Sequence, residues 1–125
     1  MAARRGVTAY QVVAAGLAVL DEAGRVTDVR PAAVAKRLGI RSQSLYAHVD
    51  GAAGRRRLLA LRSLEDLAEA VTTAAVGRSG RDAAEAVVRV HLSFALAYPG
   101  RFSAASHPPG GDPDLEAAVN RVRRP

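Results

Sequence analysis

Cysteine and tryptophan are both absent from the sequence. Without cysteine there can be no disulfide and no thiolate zinc site. Aromatic residues are scarce, with two phenylalanines and three tyrosines. Abundant alanine with so few aromatic side chains favours helix and disfavours sheet. No apolar run approaches the ~20 residues of a membrane span. His48, His91 and His107 lie far apart and suggest no metal cluster. The first seven residues carry two arginines but no apolar segment with a cleavage site follows them, so no signal peptide is expected and a cytoplasmic protein is. No nucleophile–base pair, phosphate loop or spaced pair of acids stands out, so an enzyme is not expected, nor is a cofactor. Asp112, Asp114 and Glu116 cluster beside prolines and read as a solvated acidic loop.

What is present is a basic, half-apolar chain. It has 125 residues, 49% of them hydrophobic, enough for one small domain and part of another. The formal charge of +6 is unevenly placed. Residues 1–62 hold eleven Lys/Arg against four Asp/Glu, whereas residues 63–125 hold seven against eight. A basic half joined to a near-neutral half suggests a polyanion-binding module attached to a separate body. Seventeen of the eighteen bases are arginine, the side chain best matched to phosphates and guanine edges.

The pattern of apolar residues predicts an all-α fold. Thr8 and Gln11 fit a capping box opening a first helix, Thr8 to Ala23, and Val13, Leu17 and Leu20 follow at helical spacing. Arg25 to Arg30 reads as a connector. Pro31 suits the first turn of a second helix that Gly39 ends. A third helix is expected from about Ser42 to His48, with Leu45 facing inward, then a loop from Asp50 to Gly54. The longest pattern runs from about Arg55 to Val76, with Leu61, Leu64, Ala68 and Val71 in one stripe. A fifth helix is expected over Asp82 to Tyr98, stopped by Pro99-Gly100. Arg101 to Ser106 fits a single turn, His107 to Pro113 a loop, and Asp114 to Arg124 a last short helix.

Pro31 to Val49 therefore reads as two short helices joined by a glycine turn. Ala35 must be small where the helices cross, Gly39 accepts a positive φ, and Ile40 and Leu45 pin the second helix to the first. This is a helix-turn-helix, whose second helix enters the major groove of DNA. The stretch Val34-Ala35-Lys36-Arg37-Leu38-Gly39-Ile40-Arg41-Ser42-Gln43-Ser44-Leu45-Tyr46-Ala47-His48-Val49 resembles the DNA-binding domain of TetR/AcrR-type transcriptional regulators, most tellingly at Leu45-Tyr46 before His48. The segment from Phe94 to Phe102 is similar to part of the regulatory domain of one subgroup.

The resemblance implies a three-helix DNA-binding head over residues 1–51 and an incomplete helical regulatory bundle over 52–125. Arg41, Ser42, Gln43, Ser44 and Tyr46 would face DNA. Gln43 can bond an adenine edge, and Arg41 a guanine edge or phosphate. Ser42, Ser44, Tyr46 and His48 are phosphate contacts in this scheme. Arg30, Arg55 and Arg56 complete the expected contact set, the last two standing in for a lysine that many members carry earlier in the fourth helix. Arg4 and Arg5 form a basic arm. Such a regulator works as a homodimer whose head spacing a small-molecule effector shifts. His91, Leu92, Phe94, Tyr98 and Phe102 are the candidate pocket lining. The helices that form the dimer interface in members of the family lie beyond the point where this chain stops, which leaves open a truncated regulator that cannot dimerise normally. The rival from another class is a small basic helical module that binds an acidic protein.

Overall fold

The computed structural model describes residues 7–45 and 51–125. All regular structure among them is helical: α1 (Ala9–Ala23), a 3-10 turn (Val26–Asp28), α2 (Pro31–Leu38), α3 (Ser42–Leu45), α4 (Gly51–Ala75), α5 (Gly80–Ala97), α6 (Pro99–Ala105) and α7 (Pro113–Arg123). The all-α expectation holds. No helix among these residues is long and apolar enough to cross a membrane.

Local chemistry accounts for most of the boundaries. The Gln11 N–H donates to Thr8 Oγ1 at 3.1 Å, and the Thr8 N–H donates to Gln11 Oε1 at 2.9 Å. This is the expected capping box, and it satisfies two backbone donors that the first turn leaves unbonded. α2 starts on Pro31, whose missing N–H has no helical partner to lose. It ends in a Schellman turn. Gly39 takes φ +70°, its N–H donates to the Lys36 carbonyl at 3.2 Å, and the Ile40 N–H reaches back to Ala35 at 3.0 Å.

Three expectations are corrected. Residues 51–54 are not a loop but the first turn of α4. Ala52 and Ala53 are strong helix formers, and Gly54 costs only about 1 kcal/mol relative to alanine in a helix packed against α1, α5, α6 and α7. Pro99-Gly100 does more than stop α5, because Pro99 also supplies the first turn of α6. The connector after α1 contains a 3-10 turn. The expected continuation of α3 to His48 falls outside the described residues.

α1 buries two faces. Val12, Ala15 and Val19 pack with Val34 and Ala35 of α2 and with Leu45, which is fully buried. Leu17 and Leu20 pack instead against Leu59 of α4 and Ala104 of α6. Further along α4, Leu64 meets Ala105 and Ala118, and Leu67 and Val71 meet Phe94. Each fully buried Leu or Val contributes roughly 1.5–3 kcal/mol of apolar transfer. α4 is thus the common support, with α1 and its partners α2 and α3 on its first half and α5, α6 and α7 along the rest.

α6 docks on the end of α1 at very short range. A Cβ added at Gly100 would lie 2.8 Å from the Leu20 carbonyl oxygen and 3.2 Å from the Gly24 backbone. Beside it, Arg101 grips Asp21 with both arms of its fork, Nε to Oδ1 at 2.8 Å and Nη2 to Oδ2 at 2.7 Å. Its third nitrogen lies 3.6 Å from Asp66 of α4, and the guanidinium sits 4.4 Å from the Tyr98 ring centre. The hydrogen bond to Asp21, ahead of every other influence, holds Arg101 charged above its ordinary range.

Two predictions follow from this packing. Gly100→Ala should lower the unfolding free energy by about 1–3 kcal/mol, because backbone must move to admit the methyl group. A lower urea midpoint with an unchanged slope would show it; an unchanged midpoint would mean that α6 is not held this closely. Ser63 is fully buried in α4, and its hydroxyl has no hydrogen-bond partner among the described residues. Ser63→Ala should therefore raise the midpoint, since it removes a buried polar group that gains nothing in return.

Candidate nucleic-acid interface

The turn at Gly39 fixes how α3 is presented. Leu45 is driven into the head core, which leaves the preceding residues on the outer side. Arg41, Gln43 and Ser44 are exposed, and Ser42 is half-buried. The Ser44 N–H donates to the Arg41 carbonyl at 3.0 Å, closing the first turn of the helix. The outer side thus offers a guanidinium, a carboxamide and a hydroxyl within four residues, the donor and acceptor set that reads base edges and phosphates. Tyr46 and His48, expected contacts, lie outside the described residues, as do Arg4 and Arg5.

A second part of the expected contact set converges elsewhere. Arg30, Arg55 and Arg56 line one cleft of about 180 Å³ with Thr27, Pro31 and Ala52. Arg30 immediately precedes α2, whose N-terminus has no side-chain cap. Pro31 has no N–H and the Ala33 N–H donates to the Arg30 carbonyl at 3.1 Å, so it is chiefly the dipole of that end that adds positive potential to the arginines. The sequence placed Arg30 and the 55–56 pair 25 residues apart; the fold brings them to one wall-to-wall cleft suited to a phosphate group.

Arg57 behaves differently from its two neighbours. Its Nε donates to Asp112 at 2.5 Å and its Nη2 to Asp114 at 2.6 Å. Asp112 in turn caps α7, accepting from the backbone of Asp114 at 3.0 Å and of Leu115 at 3.3 Å. The acidic loop read from sequence as solvated surface is therefore half of a clamp between α4 and α7. The Arg57 hydrogen bond, followed in weight by opposing desolvation, holds the Asp112 carboxyl below the usual carboxylate range, and Arg57 is raised in turn. Nothing local in the sequence distinguishes Arg57 from Arg55 and Arg56; the helix turn alone selects it.

The candidate ligand-lining residues are only partly brought together. Phe94 and Tyr98 line an open cleft of about 610 Å³ between α4, α5 and α6, with Asp66, Glu69 and Arg101. Their ring centres are 5.5 Å apart and tilted by 57°. His91 is held on its own helix, with Nδ1 2.9 Å from the Val87 carbonyl oxygen. Phe102 packs into the cluster of Leu67, Val71 and Phe94. Leu92 is exposed on α5, four residues from Val88 and Leu96, which are exposed too.

No protein-family model matches the chain. It is similar to an uncharacterized HTH-type transcriptional regulator of Bacillus subtilis (strain 168), with 32% identity over 105 residues, covering 84% of this chain and 54% of that protein. A second relative, an uncharacterized HTH-type transcriptional regulator of Mycobacterium tuberculosis, is 34% identical over 95 residues, covering 74% of this chain and 44% of its own length. The chain spans about half the length of the curated relatives it matches. Both are named as regulators rather than enzymes, in line with the expectation from sequence.

The clamp carries a pH signature. A carboxyl whose folded value is depressed contributes stability that is full above its unfolded value, about 3.9, and is lost as pH falls through the lower folded value. Acidification from pH 5 into that range should loosen α7, seen as lost helix signal, and Asp112→Asn should remove this acid-dependent step. An identical acid profile in wild type and variant would rule out the clamp as its source.

Proposed function

We propose that this chain contains the DNA-reading head and the first part of the body of a TetR-type, ligand-responsive transcriptional repressor. The observation that carries the proposal is the Schellman turn at Gly39, which buries Leu45 and leaves Arg41, Gln43 and Ser44 facing outward. Residues 1–51 act as the head and 52–125 belong to the regulatory bundle. Gln43 reads a base edge, and Arg41 a guanine or a phosphate. Ser42, Ser44, Tyr46 and His48 position the head on the sugar–phosphate backbone. The cleft of Arg30, Arg55 and Arg56 takes a neighbouring phosphate, supported by the uncapped end of α2.

Repression by such heads calls for two of them, set about one DNA turn, ~34 Å, apart. An effector works by shifting the balance between head arrangements that fit this spacing and those that do not. The contact of α6 with α1 through Gly100 and Arg101 supports that route, because it joins a wall of the 610 Å³ cleft directly to the head.

Binding-site selection from random duplexes, followed by gel shift, tests the reading. Gln43→Ala should weaken the selected site by about 1–3 kcal/mol and relax preference at one position. Arg56→Ala should weaken all duplexes alike and lower the salt slope by about one. If Gln43→Ala and Tyr46→Ala both left affinity and preference untouched, the assigned reading helix would be wrong.

A further inference from the structure

Another cleft shares Val26, Thr27 and Arg56 with the cleft of Arg30 and Arg55. It has a volume of about 430 Å³, within the range of small-molecule sites, roughly 300–1,000 Å³. Its walls come from five parts of the chain. Val26 and Thr27 belong to the turn after α1, Arg56 to α4, Ala104 to α6, and His107 and Leu115 to the α6–α7 loop and α7. The walls are apolar at Val26, Ala104 and Leu115. The polar residues in its lining are Thr27, Arg56, His107 and the paired Arg57 and Asp112. The His107 ring is oriented by its Nδ1, 3.2 Å from the Ser103 carbonyl oxygen. The one carboxylate in the lining, Asp112, is already matched by Arg57. An apolar chamber with an available guanidinium and a hydroxyl complements an organic anion with a hydrophobic body.

Arg56 gives the site a consequence. The same side chain lines this cleft and the phosphate-sized cleft of Arg30 and Arg55. One guanidinium cannot make its full hydrogen bonds to anions in both places. We propose that the 430 Å³ cleft binds a small hydrophobic carboxylate, and that the bound carboxylate withdraws Arg56 from DNA. The coupling rests on the DNA-binding reading above; the site itself does not. The effect is local competition for one side chain and requires no change in the spacing of two heads. By linkage, DNA must weaken carboxylate binding by the same factor that the carboxylate weakens DNA binding.

Calorimetry on the full chain without DNA tests the site with two probes of matched body and opposite charge, phenylbutyrate and phenylbutylamine. Phenylbutyrate should bind at least about tenfold more tightly, as expected when a charge-assisted hydrogen bond decides affinity. Arg56→Ala should remove that preference. Ala53→Phe, which fills the mouth of the cleft with the arginine intact, should abolish binding of phenylbutyrate. Arg121→Ala, on the far part of α7, should change nothing. Equal binding of the two probes, or full binding by Ala53→Phe, overturns the site. Gel shift tests the coupling: saturating phenylbutyrate should weaken DNA binding in the wild type and have no effect in Arg56→Ala. Equal weakening in both overturns the coupling. A chain that binds phenylbutyrate as described but no duplex at all refutes the DNA-binding reading and leaves the site standing.

Discussion

The contact between the end of α1 and the start of α6 holds the rest of the molecule in place. Leu20 is fully buried there, and its carbonyl oxygen lies against Gly100 with no space for a side chain between them. Close packing of backbone on backbone is stiff, since neither partner can rotate out of the way. The bidentate pair of Arg101 with Asp21 then removes the remaining freedom to slide. Leu59 and Ala104 fill the space below. With that junction set, α4 packs against α1 on one part of its length and against α5, α6 and α7 along the rest.

The three successive arginines of α4 show how a helix distributes identical residues among different tasks. Consecutive positions point about 100° apart, so each meets another neighbourhood. Arg55 borders the turn after α1 and the start of α2, Arg56 borders these and the cleft toward α6 and α7, and Arg57 pairs with the start of α7. The charge excess of the first half of the chain is therefore not one uniform surface. Part of it is neutralised by the carboxylates of Asp112 and Asp114, more than fifty residues away in sequence.

The sequence makes the helices legible because their signals are local. The Thr8–Gln11 box, Pro31 and Gly39 act within one turn, and all three act as expected. The boundaries that depart from the sequence pattern involve residues with two opposing tendencies. Gly51 and Gly54 argue for a loop, but Ala52, Ala53 and the packing of α4 outweigh them. Pro99 breaks the helix before it and starts the one after it. Of the candidate interface, the exposure of Arg41, Gln43 and Ser44 could be read from the burial of Leu45 alone. The meeting of Arg30 with Arg56, and of Arg57 with Asp112, could not, because both depend on how distant helices cross. His91 and Phe102 lie near Phe94 and Tyr98 in sequence, yet one is tied to its own helix and the other faces the core.

The shared face of α1 also sets what can be exchanged between proteins of this design. A chimera cut at the start of α4 would carry Leu17 and Leu20 away from Leu59 and Ala104, and would leave Asp21 without Arg101. A unit that keeps this junction therefore runs through α6 with all of α4 and α5 inside it, and leaving α7 behind would in turn strip Arg57 of Asp112 and Ala105 of Ala118. Recombination between relatives would be expected to respect that unit. The outer side of α3 could be changed residue by residue, while Leu20, Gly100 and Arg101 would have to travel together.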